Sequence, residues 1–470
     1  MNSHSSLELL LRERRNASRT LPLCAIIGIA SLILAPVGPR LSAKDASAEL
    51  IQRPVAAKTA ADDRPAAPLT ARDRDDAISA GFEYLLKQQH SDGGWGQGGG
   101  WRQNAKQQGG RVEGANLEDP PDVGNTCVGL MAVVRASAIH ESDAFTSAIR
   151  KAFDFVAKHV EAADDESLYV TPIRDTQLQV KIGAYVDTFL AGWALSELKG
   201  KLGDEDAEKR RSAALEKVVR KIERNQRADG SFDGNRGWAA VLSQGLCSKA
   251  LNSASRSGAK VSDDALRKDQ QQNLAGLDIA TGNFTAPVAA AEPSNAGIDL
   301  YRETAKLGGL RERSESNIAR RAEIQQRLKS PDLSDADKEE AKNQLDEIAR
   351  DDRAADVAQR AITTKLADAR YVAGFGNNGG EEFLSYLNLG ESLRERGGAE
   401  WQNWKQKMSA TICGAQNGDG SWSGHHCITG RTFCTGAALL TLLVDNQKDR
   451  TTDNRPSDKA SAIAATSFAD

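Results

Sequence analysis

Hydrophobic residues recur along this chain at the three- and four-residue spacing of helices, from about residue 72 to residue 445. Six segments have one apolar face, and six others are apolar nearly all round. A helix without a polar face has to be buried on every side, whereas an amphipathic helix lies at a surface. Runs of alternating Val, Ile and Thr residues, the pattern of strands, do not occur. The chain is therefore predicted to be all-α, with two layers of helices.

The two kinds of segment alternate, which predicts six pairs of helices. The amphipathic helices are expected at 75–89, 142–160, 208–226, 262–276, 352–371 and 398–415. The apolar helices are expected at 125–138, 184–199, 237–251, 295–307, 381–396 and 433–445. Six pairs in series can bury their ends if the last pair packs against the first. We therefore predict an α/α toroid, with about six outer and six inner helices, over residues 72–445.

Residues 308–351 interrupt this alternation with dense charge and few apolar positions. Pro331 and the capping sequence Ser334–Asp337 divide them into two helices, which predicts a charged helical hairpin inserted into the toroid. This hairpin is either a docking arm for a protein partner or a solvated insertion.

The N-terminal segment has the layout of an export signal. Four arginines between residues 12 and 19 precede the apolar run Leu21–Val37. Residues 1–48 are either a cleaved signal peptide or a retained anchor that contacts the membrane through 21–37. The remaining chain is expected to be extracytoplasmic, in the periplasm or secreted. Residues 49–71 are interpreted as a flexible linker and 446–470 as a disordered tail.

Composition narrows the range of partners. The 470 residues include 61 basic and 65 acidic side chains, a net charge of −4, and only 5% aromatic residues, so nucleic acid is not an expected partner. The hydrophobic share of 40% is enough for a large core.

Five cysteines follow the export signal, and an oxidising compartment favours a disulfide, most simply between Cys413 and either Cys427 or Cys434.

The motif Gln-x-x-Asp-Gly-(Gly/Ser)-(Trp/Phe) occurs three times, each time at the end of a predicted outer helix. A glycine after aspartate suits a tight turn that stops a helix, and glutamine can bind the freed backbone groups. The motif is therefore predicted to be a structural clamp. Its main residues are Gln89, Asp92, Gly93 and Trp95; Gln226, Asp229, Gly230 and Phe232; and Gln416, Asp419, Gly420 and Trp422.

This motif resembles the QW repeat of squalene-hopene and oxidosqualene cyclases, and the wider repeat is shared with the β-subunits of protein prenyltransferases. The resemblance covers roughly residues 73–445 and implies an α/α toroid. It implies no single reaction, because the same architecture serves cyclases, prenyltransferases, polysaccharide enzymes and binding domains.

The family chemistries are matched only in part. Class II terpene cyclases use a buried acid in an Asp-x-Asp-Asp motif, and the match Asp73–Asp76 lies at the start of the first outer helix, where acids face water. Prenyltransferases bind zinc through an Asp-x-Cys pair, which does not occur here. A disulfide explains the cysteines near residue 427 more simply than a metal, so no metal and no cofactor are predicted. The nearest cluster of ligand types comprises His425, His426, Cys427, Cys413 and Cys434.

Polar residues at the starts of the inner helices are the remaining candidates. In a toroid the loops that enter the inner helices gather at one mouth, so these side chains would converge. They are Asp122, Asn125, Tyr185, Asp187, Asn235, Arg236, Trp238, Asp299, Tyr301, Glu381, Glu382, His425, His426 and Arg431. Helix capping is the competing explanation for each. The candidates for acid and base catalysis are Asp187, Asp299, Glu381, Glu382, Tyr185, Arg236 and His426.

The predicted function is that of an exported repeat protein of the terpenoid cyclase and prenyltransferase class, with a pocket at the mouth and an unspecified reaction. One alternative is a polysaccharide hydrolase or lyase on an α/α toroid. Another is a non-catalytic envelope scaffold or binding protein. The ligand is expected to be a small hydrophobic molecule or a carbohydrate, and the few aromatic residues of the inner helices speak against the former.

Overall fold

The computed structural model describes residues 71–101, 111–112, 119–139, 142–285, 299–368, 371 and 379–446. In these ranges the chain forms thirteen α-helices, one pair of two-residue strands and one 3-10 turn, so the all-α prediction is confirmed. The predicted export signal, nearly all of the predicted linker and the predicted tail after residue 446 lie outside the described residues. None of the described helices combines the length and apolarity that crossing a bilayer requires.

Twelve helices belong to two sets, which we call outer and inner because the second set is mostly buried, except over residues 314–327. The outer helices are α1 (Ala71–Gln88), α3 (Asp143–Ala162), α6 (Glu205–Asn225), α8 (Asp263–Leu274), α10 (Asp335–Lys365) and α12 (Gly398–Gly414). The inner helices are α2 (Val123–Ser137), α5 (Val186–Glu197), α7 (Ala240–Arg256), α9 (Asp299–Arg327), α11 (Glu382–Arg396) and α13 (Arg431–Leu442). A short helix, α4 (Gln177–Lys181), precedes α5, and strands β1 (Gly100–Trp101) and β2 (Arg111–Val112) pair in antiparallel fashion.

Each inner helix packs against the next inner helix in chain order, and α13 packs against α2. Each also packs against an outer helix, which for α13 is α1, the first described helix of the chain. The inner helices thus have neighbours on all sides. This is why a helix such as α13 buries every residue from Thr432 to Leu442 and carries no polar face.

Residues 308–351 do not form elements of their own. They are the second part of α9 and the first part of α10, which are continuous with the helices predicted before and after them. Their charge is only partly solvated, because Arg311, Glu312 and Arg313 are buried. At the far end of the two helices, Ile324 and Ile348 contribute to a small apolar core of their own.

The three repeat motifs join successive outer helices. In each copy the aspartate accepts a hydrogen bond from the backbone N–H two residues later, and the following glycine has a positive φ of 83–92°. Each glutamine donates to a carbonyl of the next outer helix. These bonds are Gln89 Nε2 to Ala148 O at 2.9 Å, Gln226 Nε2 to Ala265 O at 3.4 Å, and Gln416 Nε2 to Ala77 O at 2.8 Å. The third bond ties α12, the last outer helix, to α1.

A fourth, degenerate copy of the motif ends α8. Gly282 has a φ of 74°, and a Cβ atom there would lie 2.1 Å from the carbonyl oxygen of Val357 in α10. Leu277 and Phe284 form the same backbone bridge that Gln226 and Phe232 form in the second copy. The sequence pattern missed this copy because it lacks the glutamine, and only Gly-x-Phe remains of the motif.

The close approach at the repeat glycines gives a testable prediction. A Cβ atom at Gly420 would lie 2.4 Å from the carbonyl oxygen of Ala80, on a backbone with a φ of 84°. We expect Gly420→Ala to lower the free energy of unfolding by at least about 2 kcal/mol, through strain and displacement of α1. The matched control is Gly418→Ala in the same turn, where nothing lies within 4 Å. Equal stability of the two variants in urea denaturation would show that the contact is not rigid.

Candidate functional site

Two clusters of titratable groups lie at the N-terminal ends of the inner helices. The first is a pair of carboxylates, Asp122 and Asp187. Asp122 is the N-cap of α2, and its Oδ1 accepts a hydrogen bond from the Asn125 backbone N–H at 2.8 Å. Asp187 lies in the first turn of α5 and accepts a hydrogen bond from Gln179 of α4. Gly124 lets the two acids approach, because a Cβ there would lie 2.5 Å from Asp187 Oδ1.

Both acids are almost completely buried, which favours their neutral forms. Burial, and secondarily the charge of Asp187, raises the pKa of Asp122 to about 7. Burial likewise raises the pKa of Asp187 to about 6, against its hydrogen bonds and the charge of Arg174. The pair therefore retains a proton near neutral pH. Capping of α2 is a sufficient structural role for Asp122. Gln179 separates Asp187 from a surface depression, which Gln179 itself helps to line.

This pair predicts how stability depends on pH. Folded Asp122 and Asp187 hold protons that unfolded aspartates release above about pH 4. The free energy of unfolding should therefore fall as the pH rises from about 4 to about 7. In Asp122→Asn the loss of unfolding free energy between about pH 4 and pH 7 should be smaller by at least about 1 kcal/mol. Urea denaturation across that pH range measures it. Asp206→Asn, at a position 99% exposed, is the control. If the unfolding free energy of Asp122→Asn depends on pH as it does in the unsubstituted protein, Asp122 is not the source of this dependence.

The second cluster consists of Glu381, His426 and Cys427, and we call it the Glu381 cluster. Glu381 immediately precedes α11, while the other two residues lie in the loop before α13. One ligand-type atom from each of the three side chains lies within 4.8 Å of the other two. His426 Nδ1 is 3.1 Å from Cys427 Sγ.

Local backbone geometry builds this cluster. The segment with Gly379 and Gly380 passes directly against the loop before α13, where the Gly380 N–H donates to the Ile428 carbonyl at 2.7 Å. A Cβ atom at Gly380 would lie 2.4 Å from Cys434 Sγ, so the approach requires glycine. Cys427 has a φ of 57°, in the left-handed region that few residues other than glycine adopt. Such strain is concentrated at functional sites.

Two buried oxygens at this cluster lack hydrogen bonds of ordinary geometry among the described residues. Glu381 Oε2 accepts from the Ile428 N–H at 3.3 Å, but Oε1 accepts no such bond, although the Cys427 thiol lies near this carboxylate. The hydroxyl of Tyr301, whose side chain is 1% exposed, also lacks a partner. Buried polar atoms without partners are uncommon in proteins, and a bound water, ion or ligand often satisfies them.

The electrostatics of the cluster favour neutral side chains. Burial raises the pKa of Glu381 to about 7, and burial together with the charge of Glu381 raises the pKa of the Cys427 thiol to about 11. Burial, His425 and Lys181 lower the pKa of His426. A thiol of this kind is a poor nucleophile. A carboxylate, an imidazole and a thiol are, however, a donor set that suits zinc.

Side chains from neighbouring elements enclose the cluster. The Trp238 ring lies edge-on to both the His426 and Tyr301 rings, with centroids 6.2 Å and 6.4 Å away. From α4, Gln177 donates to the Cys427 carbonyl, and the charge of Lys181 acts on the cluster. Helix α4 therefore connects the two clusters, because its Gln179 also binds Asp187.

The other predicted residues have different surroundings. Tyr185 donates to the Asp233 carbonyl at 2.7 Å, and Arg431 pairs with Asp419 of the third repeat. Glu382 is buried beside the Glu381 cluster. Asp299 is the first residue of α9, and its side chain lies outside the described part. Arg236 and His425 are exposed.

The predicted disulfide is wrong: all five described cysteines, Cys127, Cys247, Cys413, Cys427 and Cys434, are free. The prediction rested on the expected oxidising compartment and on proximity in sequence, and neither determines whether two sulfur atoms come within bonding distance. In the structure Cys434 is buried on α13 with its Sγ close to Gly380, while Cys427 faces His426. Sequence analysis therefore missed Cys427 as a partner of Glu381. The neighbouring His426 and the Gly379–Gly380 pair before Glu381 were the available signals.

Deeper among the inner helices lies a buried group of ion pairs, the ionic cluster, which sequence analysis also missed. Its centre is Glu391 of α11. Arg135 Nη2 of α2 is 3.1 Å from Glu391 Oε1, and Arg311 Nη2 of α9 is 2.9 Å from Oε2. Lys249 of α7 pairs with Glu391 and, at 3.3 Å, with Glu312 of α9.

These ion pairs cross the space between the inner helices. Helices α2 and α7 do not neighbour α11 in the cycle of inner-helix contacts, yet Arg135 and Lys249 both reach Glu391. The Trp193 ring of α5 packs 4.9 Å from Lys249 Nζ. Lys249 and Glu391 are each the tenth residue of their helix, about 14 Å from its N-terminal end. Charged side chains from four inner helices therefore meet at this depth.

No family model matches this chain, and no curated protein matches it.

Proposed function

We propose that this chain is an α/α toroid of the terpenoid cyclase and prenyltransferase repeat class whose mouth binds a divalent cation. We further propose that it is a metal-dependent hydrolase or lyase of polysaccharides. The observation that carries the proposal is the convergence of Glu381, His426 and Cys427 within 4.8 Å at the start of two inner helices. Zinc is the metal that best suits these donors.

The cycle of helix contacts supports the toroid. Six inner helices pack in series, α13 packs against α2, and Gln416 ties the last outer helix to the first. In a ring of this kind the N-terminal ends of the inner helices share one face. Their loops then form the mouth, where the Glu381 cluster, Trp238 and Tyr301 lie together.

The residues present fit a cation. Glu381 Oε1 is buried without a hydrogen bond of ordinary geometry from the described residues, and the strained backbone of Cys427 places its sulfur beside His426. Gln177 fixes the Cys427 carbonyl from a third element, as the outer partners of metal ligands often do. When bound, a divalent cation would supply Lewis-acid polarisation of a substrate oxygen.

Tyr301 is the proposed proton donor. Burial, with Glu381 and Glu382, raises its pKa, which makes the phenol a weak acid; a cation bound at Glu381 would lower that pKa toward the range of a proton donor. A protonated phenol near the substrate can donate to a leaving oxygen. Lys181 supplies a positive charge on the same side, which would favour substrates that carry negative charge.

The ionic cluster favours polysaccharide over isoprenoid chemistry. An isoprenoid chain needs a deep apolar cavity, whereas Glu391 and its partners fill the centre of the inner helices with charge. Substrates are therefore expected to bind at the mouth, near polar and aromatic side chains. A saccharide chain can do so without entering the ring.

The experiment compares the purified protein after chelation with the same protein after zinc is restored. Its activity is measured on neutral and uronate polysaccharides and on isoprenoid diphosphates. We expect polysaccharide cleavage that chelation abolishes and zinc restores. Tyr301→Phe should lower kcat about 100-fold or more without loss of zinc, whereas Tyr386→Phe, at a buried tyrosine of α11 that packs against Trp404, should not. Undiminished cleavage after chelation, or turnover of isoprenoids alone, would refute the proposal.

A further inference from the structure

A surface depression of about 460 Å³ lies beside the Glu381 cluster. Two loops enclose it, one between α3 and α4 and the other before α7. Trp238 belongs both to this depression and to the surroundings of His426 and Tyr301, so the two places are contiguous. The lining side chains that matter here are Tyr169, Arg174, Asp175, Gln179, Arg236 and Trp238.

The aromatic members are partly exposed and held in place. Tyr169 packs against Tyr185 with ring centroids 4.9 Å apart, and the Tyr185 hydroxyl is anchored on the Asp233 carbonyl. Trp238 is fixed by its edge contacts with Tyr301 and His426. The rigid Trp238 ring at the edge of an open depression offers an apolar face to a flat ligand at little entropic cost.

Two guanidinium groups line the same depression. The Arg174 guanidinium carbon lies 3.4 Å from the centroid of the Tyr169 ring, and its Nη1 donates to the Ile173 carbonyl at 2.9 Å. Arg236 is exposed and lies two residues from Trp238. Asp175 is the carboxylate residue among the described residues of the lining. Arginine binds carboxylates through two parallel hydrogen bonds, which gives both charge and shape selectivity.

We propose that this depression is a subsite for a carboxylate-bearing sugar unit, a uronate. The Trp238 ring would receive the sugar face, and Arg174 and Arg236 would receive its carboxylate. The subsite adjoins the Glu381 cluster, so its catalytic relevance rests on the proposed function. Binding itself needs only the lining residues and is expected in the absence of metal.

The test titrates chelated and zinc-loaded protein with a short galacturonate oligomer, the matched neutral galactose oligomer and inorganic phosphate. Binding is followed by calorimetry and by tryptophan fluorescence. We expect the uronate oligomer to bind at least about ten-fold more tightly than the neutral oligomer, with or without zinc. Arg174→Gln combined with Arg236→Gln should abolish this preference. Arg267→Gln, an exposed arginine on α8, is the matched control.

The outcomes separate the two proposals. Equal binding of the neutral and uronate oligomers, binding of phosphate alone, or no binding at all would overturn the subsite. Zinc content is measured in the same samples, and the double arginine variant should retain it. Uronate binding by a protein that does not retain zinc would therefore refute the metal centre but support the subsite. Retention of zinc by a protein that does not bind the uronate would support the metal centre but refute the subsite.

Discussion

Glu391→Gln is expected to lower the free energy of unfolding by about 3–5 kcal/mol. Although burial opposes ionisation, Lys249, Arg311 and Arg135 hold the pKa of Glu391 well below its ordinary value. Removing this one carboxylate charge leaves three cationic side chains, each 2–8% exposed, without their shared anion. Urea denaturation followed by circular dichroism measures the loss.

The matched control is an exposed ion pair. Glu205 and Lys209 form an i,i+4 pair on α6 at 2.8 Å, with side chains 83% and 67% exposed. Glu205→Gln should change stability by about 0.5 kcal/mol or less, because exposed pairs are solvated and screened. If Glu391→Gln lowers the free energy of unfolding no more than this control does, water reaches the ionic cluster and the space between the inner helices is open to solvent.

Cys427→Ala is expected to weaken zinc binding at least about 100-fold, since loss of a direct ligand should exceed the effect of losing an outer partner. Competition with a chromophoric chelator measures the affinity. The fold should persist, because Cys427 is only partly buried and lies in a loop. Cys413→Ala is the control: this thiol is equally intermediate in burial but lies on α12, and its loss should leave affinity unchanged. Equal affinities of the two variants would exclude Cys427 as a ligand.

Much of the helical framework could be predicted from the sequence. The predicted outer helix at 398–415 and inner helix at 381–396 correspond to α12 and α11 within one residue. Periodicity predicted these helices because burial on one side or on all sides acts along a whole helix. Residues 308–351 were harder to interpret because a charge count does not show where a partner lies. Arg311 and Glu312 belong to the ionic cluster, which brings together helices distant in sequence.

The candidate site was predicted in outline. Glu381 and His426 were expected at the starts of inner helices, and the structure brings them together. Their association with Cys427 could not be predicted, because it depends on the contact between Gly380 and Ile428 and on one left-handed residue. Neither is a property of helical periodicity. The role of α4 was missed for a related reason: a five-residue helix has too few positions to show a pattern.

The absorption spectrum of the protein titrated with Co²⁺ after chelation shows directly whether the Glu381 cluster binds a metal ion. Cobalt replaces zinc at such sites and reports its ligands. We expect saturation at one equivalent, with a near-ultraviolet thiolate-to-cobalt band that is absent in Cys427→Ala and reduced in Glu381→Gln. A titration that yields only the spectrum of hydrated cobalt, or a thiolate band that persists in Cys427→Ala, would contradict a metal centre at the Glu381 cluster.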